Sequence, residues 1–138
     1  MIKSLCIVDD NEMDIYQVER VSKKYNLAKF LYSFCDGQEA IDHFFSFEDS
    51  KKKFNSNFPP IVILLDINMP RMNGIEFLEE YSKLPKEKKD SIIIIMYTSS
   101  DQERDKERVA GFPEVKGYIV KPFAPEHVEK ILSIAKGN

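Results

Sequence analysis

The chain has 138 residues, 43% hydrophobic and 31% charged, which suits one soluble globular domain with a single buried core. A formal charge of −3 gives no electrostatic reason to expect nucleic acid or an anionic membrane surface as a partner. No apolar run reaches the length of a membrane span and no signal peptide precedes the first strand-like run, so the chain is expected to be cytoplasmic, with Cys6 and Cys35 as free thiols.

Short strand-like runs alternate with longer helix-like stretches, the signature of a βα-repeating fold. The first strand covers about Ser4 to Val8 and runs directly into Asp9-Asp10. A helix from near Asn11 places Ile15, Val18, Val21 and Tyr25 at helical spacing. The second strand is Phe30 to Phe34, and Asp36-Gly37 forms the turn before a helix carrying Ala40, Ile41, Phe44 and Phe45. From Glu48 to Pro60 the chain is polar, with three consecutive lysines from Lys51 and with Pro59-Pro60, and reads as a surface loop.

The run from Ile61 to Leu65 is the third strand and ends at Asp66; a helix follows Asn73-Gly74 with Ile75, Phe77, Leu78 and Tyr81 apolar. The fourth strand, Ile92 to Tyr97, runs into Thr98-Ser99-Ser100. The fourth helix, Asp101 to Arg108, is almost wholly charged, and Val109 and Ala110 are nearly its only core-facing residues, so it should hold weakly to the sheet and be locally mobile. The fifth strand ends at Val120, before Lys121-Pro122, and the last helix begins near Pro125 and buries Val128, Ile131, Leu132 and Ala135.

Five strands with five helices and right-handed crossovers imply an α/β fold with a doubly wound, five-stranded parallel sheet. Order 2-1-3-4-5, the flavodoxin-like arrangement, is common at this size. In that order the first and third strands are neighbours and mark the switch point, so Asp9, Asp10 and Asp66 converge in one crevice at the carboxyl edge, where open sheets bind ligands. Clustered carboxylates repel unless a cation compensates, and hard oxygen ligands with open positions suit Mg²⁺. A carboxylate flanked by Mg²⁺ and the Lys121 ammonium can attack a phosphoryl group, with Thr98 adding a hydroxyl donor to the transferring oxygens. Asp66 is the better nucleophile candidate, because the Asp9-Asp10 pair is placed to hold metal. His43 and His127 fall on helices away from the crevice and take no catalytic role.

Five motifs together resemble the receiver domain of bacterial response regulators. They are Ile7-Val8-Asp9-Asp10-Asn11-Glu12, Leu64-Leu65-Asp66-Ile67-Asn68-Met69-Pro70 with Asn73-Gly74, Thr98, and Gly117-Tyr118-Ile119-Val120-Lys121-Pro122-Phe123. The resemblance spans essentially the whole chain and is similar in kind to stand-alone chemotaxis and phytochrome-associated regulators. It implies that residues 1–138 are a single receiver domain with no output domain, a signalling switch and not an enzyme acting on a separate substrate. It further implies that Asp66 accepts a phosphoryl group from a sensor histidine kinase or a histidine phosphotransfer protein. Asp10 and Asp66 would ligate Mg²⁺, with Asn68 through its backbone carbonyl and Asp9 through water. Lys121 would pair with the phosphoryl oxygens, across a bond to Pro122 that is usually cis. Thr98 and Tyr118 would form the switch, and Asn68 and Ser100 would tune hydrolysis. The face of the fourth helix, fifth strand and fifth helix would then bind a downstream protein or a second copy of the chain. No organic cofactor is implied.

Three other functions compete. A phosphatase of the haloacid dehalogenase type also uses a strand-end Asp, but typically carries a second Asp two residues later, where this chain has Asn68. A receiver acting only as a binding module usually lacks the acceptor, the acid pair or the lysine, and none is missing here. A flavodoxin would need a Ser/Thr/Gly-rich phosphate loop after the first strand.

Overall fold

The three central strands are closed to water on both faces, as strands covered by helices on each side must be. The computed structural model, which describes residues 1–137, shows strands β1 (Ile2–Val8), β2 (Ala28–Phe34), β3 (Val62–Leu65), β4 (Ile93–Thr98) and β5 (Val115–Val120). All pairs are parallel, in the order β2-β1-β3-β4-β5. The expected topology is therefore the observed one.

Period-two alternation sorts the strand side chains into two cores. Cys6, Val8, Ile63, Leu65, Ile94 and Met96 face one way, while Leu5, Ile7, Val62, Leu64, Ile93 and Ile95 face the other. The second core is closed by α1 (Glu12–Tyr25) and α7 (Pro125–Gly137), through Val18, Val128 and Ile131. The first is closed by α2 (Gly37–Phe45), α3 (Phe47–Phe54), α4 (Gly74–Tyr81) and α6 (Glu103–Ala110); α5 (Lys86–Lys89) is a single turn ahead of β4. Helix starts follow the sequence signals. Asn11 accepts from the Met13 and Asp14 N–H groups, Asp36 from the Glu39 N–H, and Asn73 with Glu76 forms a reciprocal capping box.

The largest departure from expectation lies between residues 48 and 60. That stretch is not a loop: α3 runs through the lysines, and a 3₁₀ turn (Asn55–Asn57) follows. Phe47, Ser50 and Phe54 lie three and four residues apart and so share one helical face. Ser50 is buried and donates to the His43 carbonyl at 2.7 Å, and Phe58 beyond the turn is 1% exposed among the rings of Phe44, Phe47 and Phe54. The lysines are exposed, Lys51 and Lys53 flanking that face and laying their ammonium groups near the Phe47 and Phe54 rings. Polarity misleads here because anchors every third or fourth residue, two of them aromatic, suffice to seat a helix.

Three smaller differences concern helix ends. Tyr25 and Phe45 are the last residues of α1 and α2 and point to solvent, where the helical stripe has rotated off the core. Ala110, at the end of α6, is also exposed, leaving Val109 as that helix's buried residue. Leu132 and Ala135 of α7 are partly buried rather than fully so.

Phe58→Ala tests the revised reading of residues 47–58. Removing a ring enclosed by three others should cost about 3–5 kcal/mol of unfolding free energy in a urea titration, whereas a residue of a solvated loop would cost almost nothing.

Candidate functional site

Strand register assembles the site. β1 pairs with β3 so that Val8 faces Leu65, and the next residue on each strand is an aspartate. The Asp66 N–H donates to the Val8 carbonyl at 3.0 Å, which keeps Asp9 and Asp66 side by side as the strands end. Across the sheet, β4 pairs with β5 so that Thr98 faces Val120, and the Lys121 N–H donates to the Thr98 carbonyl at 2.8 Å. The Lys121–Pro122 bond is cis. Asp9, Asp66 and Thr98 are buried, Lys121 half-buried, and Asp10 opens to solvent at the rim.

Electrostatics in this crevice are unbalanced. The Lys121 ammonium lies 2.8 Å from Asp9 Oδ2, 2.7 Å from Asp14 Oδ2 and 3.4 Å from Asp66 Oδ2, with its charge 5.3 Å from the centre of the Tyr97 ring. The contacts to Asp14 and Asp66 are hydrogen bonds, and that to Asp9 is a close ion pair. Asp9 Oδ2 is therefore buried with the Lys121 ammonium as its close counter-charge. Burial pushes the Asp9 and Asp66 carboxyls above the ordinary carboxylate range; Lys121 acts against that rise at both, and neighbouring N–H groups help. For Lys121, burial alone would lower the pKa, but the three acids outweigh it and hold the ammonium charged. One cation cannot neutralise this many anions.

A further cation would complete the balance. Asp9, Asp10 and Asp66 each bring a carboxylate oxygen to within 4.8 Å of the others. With only the Lys121 ammonium to balance them, these all-oxygen donors fit a hard divalent ion such as Mg²⁺. Asn68 is exposed next to them, its N–H donating to Asp66 Oδ1 at 3.4 Å. Thr98 Oγ1 lies inside the crevice, where its hydroxyl favours the ionised form of Asp66, and it accepts a long 3.5 Å bond from the Ser100 N–H.

The remaining sequence-selected residues sit around the β4–α6 loop. The Tyr118 hydroxyl donates to the Ser100 carbonyl at 2.6 Å, and its half-buried ring lies 5.6 Å from the Lys106 ammonium. Ser100 Oγ donates to Asp105 and receives the Gln102 N–H; Gln102, at the helix start, makes no side-chain cap. His43 Nδ1 meets the Glu39 carbonyl and His127 Nδ1 accepts from the Ala124 N–H, so both rings serve local structure.

Two features were not singled out from the sequence. Asp14 reads as an ordinary first-turn helix acid until the fold brings Lys121 to it. Arg71 forms a two-pronged bond to Asp36, at 2.8 and 2.9 Å, from a backbone with φ 64°, a left-handed conformation uncommon outside glycine. Its fork and the Glu39 N–H outweigh burial and hold the Asp36 carboxyl below its usual range. This pair ties the loop after Asp66 to the loop after β2. Gly74 closes the same loop: a β-carbon there would run into the Asp66 carbonyl oxygen.

Comparison with known proteins places this arrangement. The response regulator receiver domain model matches residues 5–133. The chain is 30% identical over 132 residues to the alkaline phosphatase synthesis transcriptional regulatory protein PhoP of Bacillus subtilis, covering 93% of this chain and 46% of that protein. The chain thus spans about half the length of that relative. It is 31% identical over 87 residues to the chemotaxis protein CheY1 of Helicobacter pylori, covering 63% of this chain and 68% of that one. The response regulator receiver protein of Dyadobacter fermentans DSM 18053, 29% identical, superposes with a TM-score of 0.79 over 97% of this chain and 98% of that one.

Crowding of the acids has a measurable cost. Because the folded protein binds protons at Asp9 and Asp66 more readily than the unfolded chain does, their contribution to stability falls as pH rises from the ordinary carboxylate value through the raised ones. Asp66→Asn in chelator at pH 7 should raise unfolding free energy by on the order of 1 kcal/mol and flatten that pH dependence, read by denaturant titration from pH 4 to 7.

Proposed function

The chain belongs to the response regulator receiver domain family, and on that premise we propose that it is a Mg²⁺-dependent phosphoacceptor switch with Asp66 as the acceptor. The observation that carries this reading is the buried Asp66 carboxylate at the end of β3, with the Lys121 ammonium 3.4 Å away and the Asp9-Asp10 pair beside it. The donor is a phosphohistidine on a sensor histidine kinase or a phosphotransfer protein.

In the transfer, an Asp66 carboxylate oxygen attacks phosphorus, the phosphorus–nitrogen bond breaks, and the bonding pair leaves with the donor imidazole. Lys121 and Thr98 donate to the phosphoryl oxygens, where charge is concentrated in the transition state. Mg²⁺, when bound, supplies the second positive charge; Asp9, Asp10, Asp66 and the Asn68 carbonyl are the groups that would hold it. Burial favours the reaction by strengthening each of these interactions. The chain thereby promotes formation and hydrolysis of its own acyl phosphate, and turns over no separate substrate.

The added charge at Asp66 then competes for Lys121 and Thr98. Thr98 precedes the loop whose Ser100 carbonyl receives the Tyr118 hydroxyl, and that loop leads into α6. We place the output on the face of α6, β5 and α7, where a downstream protein or a second copy of the chain would dock. The switch and its kinase would meet in the cytoplasm.

Incubation with Mg²⁺ and a small acyl-phosphate donor, followed by intact-mass measurement, tests the reading. Wild type should gain one phosphoryl group; Asp66→Ala, Lys121→Ala or chelation should abolish or greatly diminish the adduct. A folded wild type that gains none refutes the proposal, and steady phosphate release from unrelated esters would point to a phosphatase.

A further inference from the structure

Asp14 has no role in the transfer described above, yet it accepts the shortest hydrogen bond that Lys121 makes, 2.7 Å against 3.4 Å to Asp66. A bland account is available: an acid in the first turn of a helix is favoured by the helix dipole. Local geometry shows why that account is insufficient. Asp14 is the third helical residue after the cap Asn11, the position from which Glu76 reaches back to the Asn73 N–H in α4. In α1 the corresponding N–H, that of Asn11, is already donated to Asp9 Oδ1 at 2.9 Å. The Asp14 carboxylate is thus left without its usual helical partner and extends across the crevice to a lysine 107 residues away in sequence.

An ammonium has three N–H groups. In the resting protein two are donated, to Asp14 and Asp66, and the charge also faces Asp9. On the proposed reading, Asp9, Asp10 and Asp66 would be drawn to Mg²⁺, and acyl-phosphate formation would take away the negative charge of the Asp66 carboxylate. Asp14 is then the carboxylate that still competes with the phosphoryl oxygens for Lys121. Its own negative charge, only partly solvated at 26% side-chain exposure, also opposes a second anion nearby.

We infer that Asp14 is a positioning residue that holds the Lys121 ammonium away from the phosphoryl group, setting how strongly the crevice retains that group. This rests on the phosphoacceptor reading and adds to it a built-in counterweight, supplied by α1 and separate from the metal-holding acids. Removing the charge at Asp14 should release Lys121 to the phosphoryl oxygens.

The test is titration of beryllofluoride, a phosphoryl mimic, into the Mg²⁺-loaded chain, read by ¹⁹F resonance because the sequence has no tryptophan to report binding. Asp14→Asn, which keeps the shape of the side chain, should bind the mimic about three- to tenfold more tightly than wild type. Asp14→Glu, which keeps the charge, should stay closer to wild type than to Asp14→Asn, and Asp14→Ser provides a second neutral variant should the amide disturb the helix start. Mg²⁺ affinity measured alone should change much less than affinity for the mimic, a split that a purely structural role for Asp14 would not produce. Unchanged or weakened mimic binding in folded neutral variants overturns the inference while leaving the phosphoacceptor reading intact. Failure of wild type to bind the mimic overturns both.

Discussion

Two carboxylates one residue beyond a matched strand pair are the constraint on which the rest of this structure depends. Once Val8 and Leu65 are in register, Asp9 and Asp66 have nowhere to separate to, because each is fixed by a backbone hydrogen bond to a neighbouring strand. Loss of water raises both pKa values, with the Asp66 charge adding a smaller push at Asp9, and the fold answers with a lysine delivered from the far side of β4. That answer is incomplete by design of the inventory: a single ammonium faces Asp9, Asp14 and Asp66 while Asp10 stands at the rim. A site short of positive charge is one whose occupancy by a cation and whose response to further negative charge are coupled from the outset.

The parts of this arrangement that could be read in the sequence are those set by local periodicity. Strands β1, β3 and β4 are short apolar runs ending in acid or hydroxyl, and the topology then follows from handedness and size, so periodicity alone brings Asp9, Asp10, Asp66, Thr98 and Lys121 to one edge. Asn11, Asp36 and Asn73 are capping residues of ordinary type, and helix starts are correspondingly clear.

What could not be read depends on pairings between distant segments or on a minority of residues. Helix α3 is held by Phe47, Ser50 and Phe54 against a background of three lysines, so average polarity points the wrong way. The ends of α1, α2 and α6 deceive for the opposite reason, because Tyr25, Phe45 and Ala110 continue a pattern after the core has ended. Asp14 and the Asp36–Arg71 pair carry no sequence signal, since an acid near a helix start and a charged residue in a loop are both commonplace. Their meaning appears only when Lys121 and Arg71 arrive.

The crevice is bordered by two loops that are held in different ways. On the β3–α4 side, the Arg71 fork on Asp36 and the close backbone approach at Gly74 leave almost no slack, so that border acts as an abutment. On the β4–α6 side, the Tyr118–Ser100 hydrogen bond and a helix with Val109 as its buried residue form a compliant wall. On the phosphoacceptor reading, that asymmetry of packing would direct a shape change toward α6.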